Sequence, residues 1–490
     1  MKFFGNSIIY LLTPVLCMVL CGCIKRFQPP TDNQIVDDIP QQFITPDSSD
    51  QPIFPSELDY WWRQFDDPLL SSLIEQGLED NYSLQALRAR LLQSLAVARQ
   101  READRYPEIF AQLAQTADFN EDRADTYTLF AGFKLSWELD IWQRLADEAR
   151  AAVLDAAARQ EETEDAALLL SSEIGATYFR IIAQNTQLSL LNQQIATNQK
   201  TLEVLRLRFS LGNSSLLDVY QQQEQLIATQ SGLPIVNAEL VGLINRCAVL
   251  LGQVPRHDYI TEADQLPPLP PLPALGIPSR LLLDRADLRR VRNRLLAAGY
   301  RIDVAKADQL PRIGLDVQAG VRDSGLRADG LFLSLLADIL MPVFDAGRRE
   351  AEVARTQSVY DELRAEFQQG FISAVEEVQT ALWQEQYQRE LIDIKEDQLK
   401  AARDALRESQ RGYLQGINDY LPVLTALFST QRLERELVAL RRDLLLIRIT
   451  LYQALGSTTY LTSFEDAHQS DSPPGNAPHT NTIPTGSTTS

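Results

Sequence analysis

Cysteine and histidine supply the reactive groups of many catalytic and metal sites, and this 490-residue chain holds four cysteines and three histidines. His257, His468 and His479 have no partner at helical spacing, so they do not form the paired ligands of a metal centre. The sequence also shows no phosphate-binding glycine loop and no nucleophile–base set. We therefore expect no enzyme, no cofactor and no metal site.

The N-terminal cysteines carry the one covalent modification that the sequence predicts. An apolar run at 8–20 is too short to span a bilayer and is typical of a secretory signal peptide. It ends in Leu20-Cys21-Gly22-Cys23, which places an apolar residue and two small ones before a cysteine, as in a bacterial lipidation site. We expect residues 1–22 to be removed and Cys23 to be acylated. An ordinary signal peptide with a chance cysteine is the alternative.

Charge and composition divide the rest of the chain. A formal net charge of −20 argues against a nucleic-acid partner, since such proteins carry a basic face. Residues 23–59 read as an extended, lipid-anchored segment, 255–278 as a stiff proline-rich linker and 461–490 as a disordered tail. Two longer segments, 60–254 and 279–460, remain for folded structure.

These two segments repeat each other. Pro107 recurs as Pro311, and 311 − 107 = 204; the same offset relates Gly212 to Gly416. Matches at one fixed offset predict two equivalent halves that arose by duplication. We expect each half to hold a helix, a strand pair and a helix hairpin. The predicted opening helices are 68–105 and 279–309, the strand pairs 106–142 and 311–344, and the hairpins 143–252 and 346–456.

The strand pairs show the alternation of apolar and polar residues that has a period of two. A half-buried sheet of a soluble protein would alternate in the same way. Strands of about 10 to 15 residues exceed the usual 5 or 6, however, and are long enough to cross a membrane. Trp137 and Trp142 lie where an interfacial aromatic girdle would be, and polar turns are predicted at 120–125 and 322–330. Because four strands cannot close a barrel, spanning strands would require oligomerisation.

Long helices with heptad spacing follow each strand pair. Residues 143–211 contain no proline and a single glycine, so a continuous helix there would be roughly 100 Å long. The heptads predict antiparallel coiled coils that turn at Gly212 and Gly416. Pro234 is expected to kink or interrupt the shorter helix of the first hairpin.

Several short motifs now point to a known family. In chain order they are Tyr-Trp-Trp-Arg-Gln-Phe-Asp-Asp-Pro-Leu-Leu at 60–70, Leu-Pro-Arg-Ile at 310–313 and Met-Pro-Val-Phe-Asp-Ala-Gly-Arg at 341–348. Together with the lipidation site and the duplication, they resemble the TolC-like outer-membrane factors, in particular the OprM/NodT-type efflux lipoproteins. The resemblance covers roughly residues 60–460.

The resemblance implies a mixed α+β membrane protein that works as a homotrimer. Its twelve-stranded β-barrel would continue into a twelve-helix α-barrel tunnel, lipid-anchored in the outer membrane and extending into the periplasm. Such ducts passively export small toxic compounds for tripartite pumps, with a periplasmic adaptor and an inner-membrane transporter of the resistance–nodulation–division (RND) type as partners. Ile24, and not an aspartate, follows Cys23, which by resemblance to Gram-negative lipoproteins favours the outer membrane.

The resemblance also implies a gate at the periplasmic tips. Tyr413 and Asp218 match a tyrosine and a carboxylate that hold the family's tips closed by hydrogen bonding. The family's lumenal acid falls on Asn418, with Asp419 beside it, so Asp419 is a third candidate. In the alternative interpretation, Tyr413 continues a heptad core and Asp218 caps a helix.

Two other functions stay open at this level. One is the outer-membrane duct of a protein secretion system driven by an ABC transporter; the lipid anchor favours the efflux duct over it. The other is a structural coiled-coil lipoprotein of the periplasm, against which the long strands argue. No motif identifies the transported substrate. Soft-metal export would be indicated by clusters of methionine thioethers, but Met341 is the one methionine outside the signal peptide.

Overall fold

The computed structural model describes residues 26–30, 43–44, 60–119, 126–255, 265–272, 285–323 and 328–456. The predicted signal peptide, Cys23 and the tail from 461 lie outside these residues. A short 3-10 helix, Trp61–Phe65, precedes the main elements. They are α1 (Pro68–Asp80), α2 (Tyr82–Ala103), β1 (Glu108–Asp118), β2 (Thr126–Glu138), α3 (Arg144–Ser210), α4 (Leu216–Leu250), α5 (Ala286–Ala307), β3 (Arg312–Asp323), β4 (Ala328–Leu340), α6 (Arg348–Leu414) and α7 (Leu421–Leu455).

The long helices repeat the predicted offset. Helices α3 and α6 have 67 residues each, and their first residues differ by 348 − 144 = 204. At 1.5 Å per residue each is roughly 100 Å long. Helix α4 packs along α3 and α7 along α6, while α5 lies against both α3 and α6. The two halves are therefore joined side by side through their helices as well as through the sheet.

The predicted opening helix at 68–105 is wrong in one respect, because it breaks at Asn81. The backbone of Asn81 is extended (φ −66°, ψ 118°), and its side chain accepts hydrogen bonds from the amides of Ser83 and Leu84. The Asn81 amide group also donates to the carbonyl of Leu250 at 2.9 Å. Asparagine is a preferred N-cap because its side-chain oxygen satisfies free amides of the first turn. The break thus starts α2 and ties it to the end of α4.

Pro234 does not interrupt α4, which runs continuously from Leu216 to Leu250. Proline removes one hydrogen bond of the helix ladder. Pro234 is exposed, so water can satisfy the carbonyl that loses its partner.

The four strands form one antiparallel sheet in the order β1-β2-β3-β4. Its first hairpin pairs Glu108 with Ser136 and its second pairs Arg312 with Leu340, again 204 residues apart. The register then shifts at Val321/Arg322, and β3 and β4 extend to Asp323 and back from Ala328. The predicted turn at 322–330 is therefore too long, because a bulge lets pairing continue further than the alternation suggested.

The sheet is uncovered in the single chain. Its apolar face exposes large side chains, among them Leu113, Phe133, Leu331, Leu333 and Leu335, which are 61% to 86% accessible. The main hydrophobic core lies instead among the helices, around Trp61, Phe179 and Tyr452. The fold thus separates a packed helical body from a sheet that has an exposed apolar surface.

Two glycines bring the halves of the sheet together at the seam between β2 and β3. Gly132 pairs with Gly320, and a Cβ added at Gly320 would lie 2.8 Å from the Gly132 Cα and 2.9 Å from the Phe130 ring. Only glycine fits so close an approach.

We expect Gly320→Val to destabilise the seam by about 1–3 kcal/mol, the usual cost of overpacking. Thermal unfolding followed by circular dichroism measures the loss. Gly330→Val is the matched control, since a Cβ at Gly330 in β4 meets no atom within 4 Å. Equal melting temperatures for the two variants would contradict this prediction.

Candidate gate at the helix tips

The two helix hairpins end in turns that each contain a left-handed glycine. Gly212 and Gly416 both have φ +74°, a conformation that glycine adopts without steric cost. The turns are closed by hydrogen bonds from the Asn213 amide to the Arg208 carbonyl at 2.8 Å and from the Ile417 amide to the Gly412 carbonyl at 2.9 Å. This 6→1 bonding is the Schellman pattern that ends a helix sharply.

Tyr413 and Asp218 are linked at these tips through Ser214. The Tyr413 hydroxyl donates to Ser214 Oγ at 3.1 Å, and Ser214 Oγ donates to Asp218 Oδ2 at 2.9 Å. We call these three residues the tip relay. It joins the second hairpin to the first hairpin of the same chain. Sequence analysis named the two ends but missed Ser214, which a serine-rich turn just before a helix could have suggested.

Asp218 also caps α4, as the alternative interpretation proposed. Its amide donates to Ser215 Oγ at 3.1 Å, and the Ser215 amide donates back to Asp218 Oδ2 at 3.1 Å. This is a capping box, in which two residues satisfy each other's free amides. The Asp218 carboxylate therefore serves the helix end and the tip relay together.

The aromatic side of the relay is packed as well as hydrogen-bonded. The Arg208 guanidinium lies 4.9 Å from the centre of the Tyr413 ring, and the Tyr420 ring meets Tyr413 edge-on at 5.3 Å. Tyr420 is buried and its hydroxyl donates to Gln222 Oε1 at 2.6 Å. Burial raises the pKa of Tyr420, so this hydroxyl keeps its proton as a donor.

Behind the tips lies a buried polar cluster that sequence analysis did not find. Asn198 donates to Thr229 Oγ1 at 2.9 Å and accepts from Gln431 at 3.0 Å. Gln222 donates to the Asn198 carbonyl at 2.9 Å, and Gln225 donates to Gln431 at 3.3 Å. These side chains come from α3, α4 and α7, so the cluster ties the first hairpin to the second. Fully bonded buried networks fix the mutual placement of the elements that they join.

Asp419, the third gate candidate, is exposed at the turn before α7. Beside it, Asn418 lies against Gly412, where an added Cβ would meet the Asn418 amide. The contacts of the described residues do not join Asp419 to the tip relay. Its exposed carboxylate is free to face solvent.

Trp137 and Trp142 mark the junction of the strands with the helices. The Trp137 indole donates to the Arg105 carbonyl at 3.0 Å, and the Trp142 indole donates to the Pro311 carbonyl at 2.7 Å. Both acceptors lie in the segments that lead from a helix into a strand. The two indoles therefore fix the geometry of this junction.

Comparison with known proteins shows which family has this architecture. The family described as "Outer membrane efflux protein" matches the chain twice, at residues 73–251 and 277–457. The pyoverdine export outer membrane protein OpmQ of Pseudomonas putida is 26% identical over 81% of this chain and 87% of its own length. The cation efflux system protein CusC of Escherichia coli K12 is 26% identical over 90% and 97%. A CusC crystal structure superimposes with a TM-score of 0.78 over 89% of this chain and all of the other, at 24% identity.

An exposed apolar sheet joined to two helices of roughly 100 Å each fits an outer-membrane channel that extends into the periplasm. The chain belongs to the Outer membrane efflux protein family. It is thus an outer-membrane efflux protein, and the family is one of transport ducts, not of enzymes.

Proposed function

We propose that three copies of this chain close into a twelve-stranded barrel continuing into a twelve-helix tunnel, the exit duct of a tripartite efflux pump. The observation that carries this is the four-stranded sheet, whose apolar face is exposed and whose outer strands β1 and β4 each have one partner among the described residues. An open edge cannot stand in lipid, because its backbone groups find no partner there. Small spanning barrels need about eight strands, so one chain does not suffice.

The surface of the helices supports assembly too. Helices α3 and α4 are both long and apolar enough to cross a membrane by length and composition. In α3 the apolar stretch is mostly buried against other helices, whereas in α4 it is mostly exposed. Exposed apolar residues of α4 include Leu217, Ile227 and Ile235. A neighbouring copy that covers them would remove this apolar area from water.

The ends of the chain complete the proposed duct. Residues 1–22 are the signal peptide, and acylated Cys23 begins an anchored segment that reaches to 59. The repeats at 60–254 and 279–460 build the barrel and tunnel around the linker 255–278, and 461–490 form a tail. Trp137 and Trp142 lie at the membrane interface. Palmitate labelling that persists in a Cys23→Ser variant would contradict the anchor.

Transport through this duct is passive and is driven by its partners. A periplasmic adaptor meets the tips at Gly212 and Gly416 and couples them to an RND-type inner-membrane transporter. Small toxic compounds are the proposed cargo; the relatives OpmQ and CusC are named for pyoverdine export and cation efflux. The tip relay of Tyr413, Ser214 and Asp218 holds the tips closed, and the exposed Asp419 faces the lumen.

Two measurements test the duct. Light scattering of the purified protein in detergent gives its copy number, and planar bilayers give its conductance. In a susceptible strain without its own duct, co-expression with an adaptor and an RND transporter is expected to raise resistance to small toxic compounds. A monomer without conductance would contradict the proposal. Restored secretion of a protein, without restored resistance, would instead favour the ABC-driven duct.

A further inference from the structure

Arg26 and Phe27, among the first residues that the structure describes, are held against the helical body. Residues 26–30, here called the strap, lie across the place where α3 meets α5 and α6. The Arg26 guanidinium bonds Asp147 Oδ2 and lies 3.9 Å from Asp303 Oδ2. The Phe27 amide donates to the same Asp303 oxygen at 2.6 Å. The strap is therefore fixed by its backbone and by its charge.

The acids that receive the strap are deeply buried. The side chains of Asp147 and Asp303 are only 1% and 5% exposed. Burial raises the pKa of Asp147, while Arg150 and Arg26 act to lower it. A buried carboxylate needs a cation beside it to stay charged, and Arg26 approaches both acids. Arg150 of α3 pairs with Asp147 at 2.7 Å and Lys306 of α5 with Asp303 at 3.4 Å. Arg26 adds a charge from outside the helices that bridges the two acids.

The Phe27 ring fills an aromatic cleft next to these acids. It meets Tyr300 edge-on at 5.5 Å and Tyr360 edge-on at 5.7 Å. Gly299 forms the floor, since a Cβ added there would collide with the ring. We call Asp147, Gly299, Tyr300, Asp303 and Tyr360 the seat of the strap.

The duplication shows that the seat is specific to one half. At the offset of 204, the equivalents of its five residues are an alanine, a leucine, an alanine, an arginine and an alanine. None of them could bind a basic–aromatic pair in the same way: they are Ala351, Leu95, Ala96, Arg99 and Ala156. A duplicated chain with a single N-terminus therefore carries a single seat.

The seat lies close to where the strands meet the helices, and so close to the proposed membrane surface. Asp147 follows the end of β2 by 147 − 138 = 9 residues, and Asp303 precedes the start of β3 by 312 − 303 = 9 residues. Arg26 is the third residue after Cys23, so their Cα atoms lie at most about 11 Å apart. We propose that Arg26 and Phe27 dock in this seat to fix the lipid-bearing end of the chain at the strand–helix junction, beside the inner leaflet. The membrane side of this inference rests on the proposed duct and on acylated Cys23.

Chymotrypsin tests the docking in the purified, full-length protein. This protease cleaves after exposed aromatic residues, so the seated Phe27 ring should be protected and Gln28 should not appear as a new N-terminus. Gly299→Ala replaces a poor helix former of α5 by a good one but puts a methyl group where the ring lies. We expect cleavage after Phe27 to be about tenfold faster in this variant, because the aromatic contacts are lost.

Gly242→Ala is the matched control, since a Cβ at this helical glycine of α4 meets no atom within 4 Å. Its cleavage rate should equal that of the unaltered protein. An Asp147→Asn/Asp303→Asn variant should release the strap as well. It removes the charges that bind Arg26 and leaves the aromatic cleft for Phe27 unchanged. Equal rates in all four proteins would overturn the strap. Conductance plays no part in this assay, so a protected but non-conducting protein would overturn the duct and leave the strap supported.

Discussion

Replacing Arg448 by methionine is expected to destabilise the protein by about 3–5 kcal/mol, the usual cost of breaking a buried ion pair. Arg448 and Glu385 are 0% and 2% exposed and are joined by two hydrogen bonds of 2.7 and 2.8 Å. Burial acts to lower the pKa of Arg448, but the bonds to Glu385 outweigh it and the pKa is raised. Without Arg448, the Glu385 carboxylate would keep, among the described residues, only the partly exposed Arg389 as its cation.

The same arginine holds the proline-rich linker. Its NH1 group donates to the carbonyls of Pro270 and Pro271 at 2.7 and 2.8 Å. Leu266 and Leu269 of the linker pack on the main core nearby. Arg448→Met therefore also leaves two carbonyl acceptors without their donor, and the carbonyl of buried Pro270 adds a desolvation cost. The linker that joins the halves should lose its attachment to α7.

The first half of the chain supplies the compensating variant. At the offset of 204, Glu385 and Arg448 correspond to Ile181 and Ile244, both buried. Well-packed apolar residues often replace a buried ion pair at little cost. We therefore expect Glu385→Ile/Arg448→Ile to be more stable than Arg448→Met, with the lost linker bonds as the remaining deficit. Chemical unfolding followed by circular dichroism measures all three proteins.

Arg441→Met is the control, because Arg441 joins the same two helices through Glu396 at 2.7 Å but is 56% exposed. Exposed pairs of this kind contribute about 1 kcal/mol or less. If Arg448→Met were no less stable than Arg441→Met, the buried pair would not hold the linker as described.

The periodicities of the sequence predicted the strands and the long helices, because these elements extend over many residues with one face apolar. Local polar contacts were harder to predict. Asn81 reads as one more helical residue until its contact with the Leu250 carbonyl is seen. From the sequence, Glu385 and Arg448 would be expected on the exposed side of their helices, since charged residues of a coiled coil are usually exposed. Only the folded chain shows that the linker covers them.

The same limit applies to the candidate gate. Tyr413 and Asp218 were predicted from the resemblance to the family, whose gate residues they match at positions close to the two glycine turns. Ser214 and the cluster around Asn198 and Gln431 depend on how two hairpins, 204 residues apart, meet in space. Period and spacing describe one helix at a time, so they do not show which polar residues of different helices face each other.

Removing the tip relay is expected to open the duct. A Tyr413→Phe/Asp218→Ala variant should admit vancomycin across the outer membrane and raise single-channel conductance in planar bilayers. Each hydrogen bond contributes about 0.5–1.5 kcal/mol. Of the two relay bonds that this variant removes, only the bond from Tyr413 to Ser214 joins the two hairpins. Losing that bond in each of three chains removes about 3 kcal/mol of closing energy, which shifts the closed-to-open ratio on the order of a hundredfold.

Ser214→Ala separates the relay from the helix cap. Asp218→Ala also removes the capping box with Ser215, so it weakens α4 itself. Ser214→Ala breaks both bonds of the relay and leaves the Ser215–Asp218 pair in place. We expect it to leak nearly as much as the double variant, with a smaller loss of thermal stability.

Thr201→Val is the control for a lost hydroxyl on the same hairpin. Thr201 bonds only the Thr197 carbonyl of its own helix among the described contacts, at 2.9 Å, so this variant should stay closed. If a double variant at Tyr413 and Asp218 excluded vancomycin to the same degree as the unaltered protein does, the relay would be refuted as the closing contact.

The asymmetry between the halves makes the test specific, since the equivalents of Tyr413 and Asp218 are Phe209 and Pro422. Neither can form the same hydrogen bonds, so each chain supplies one relay and three chains would supply three.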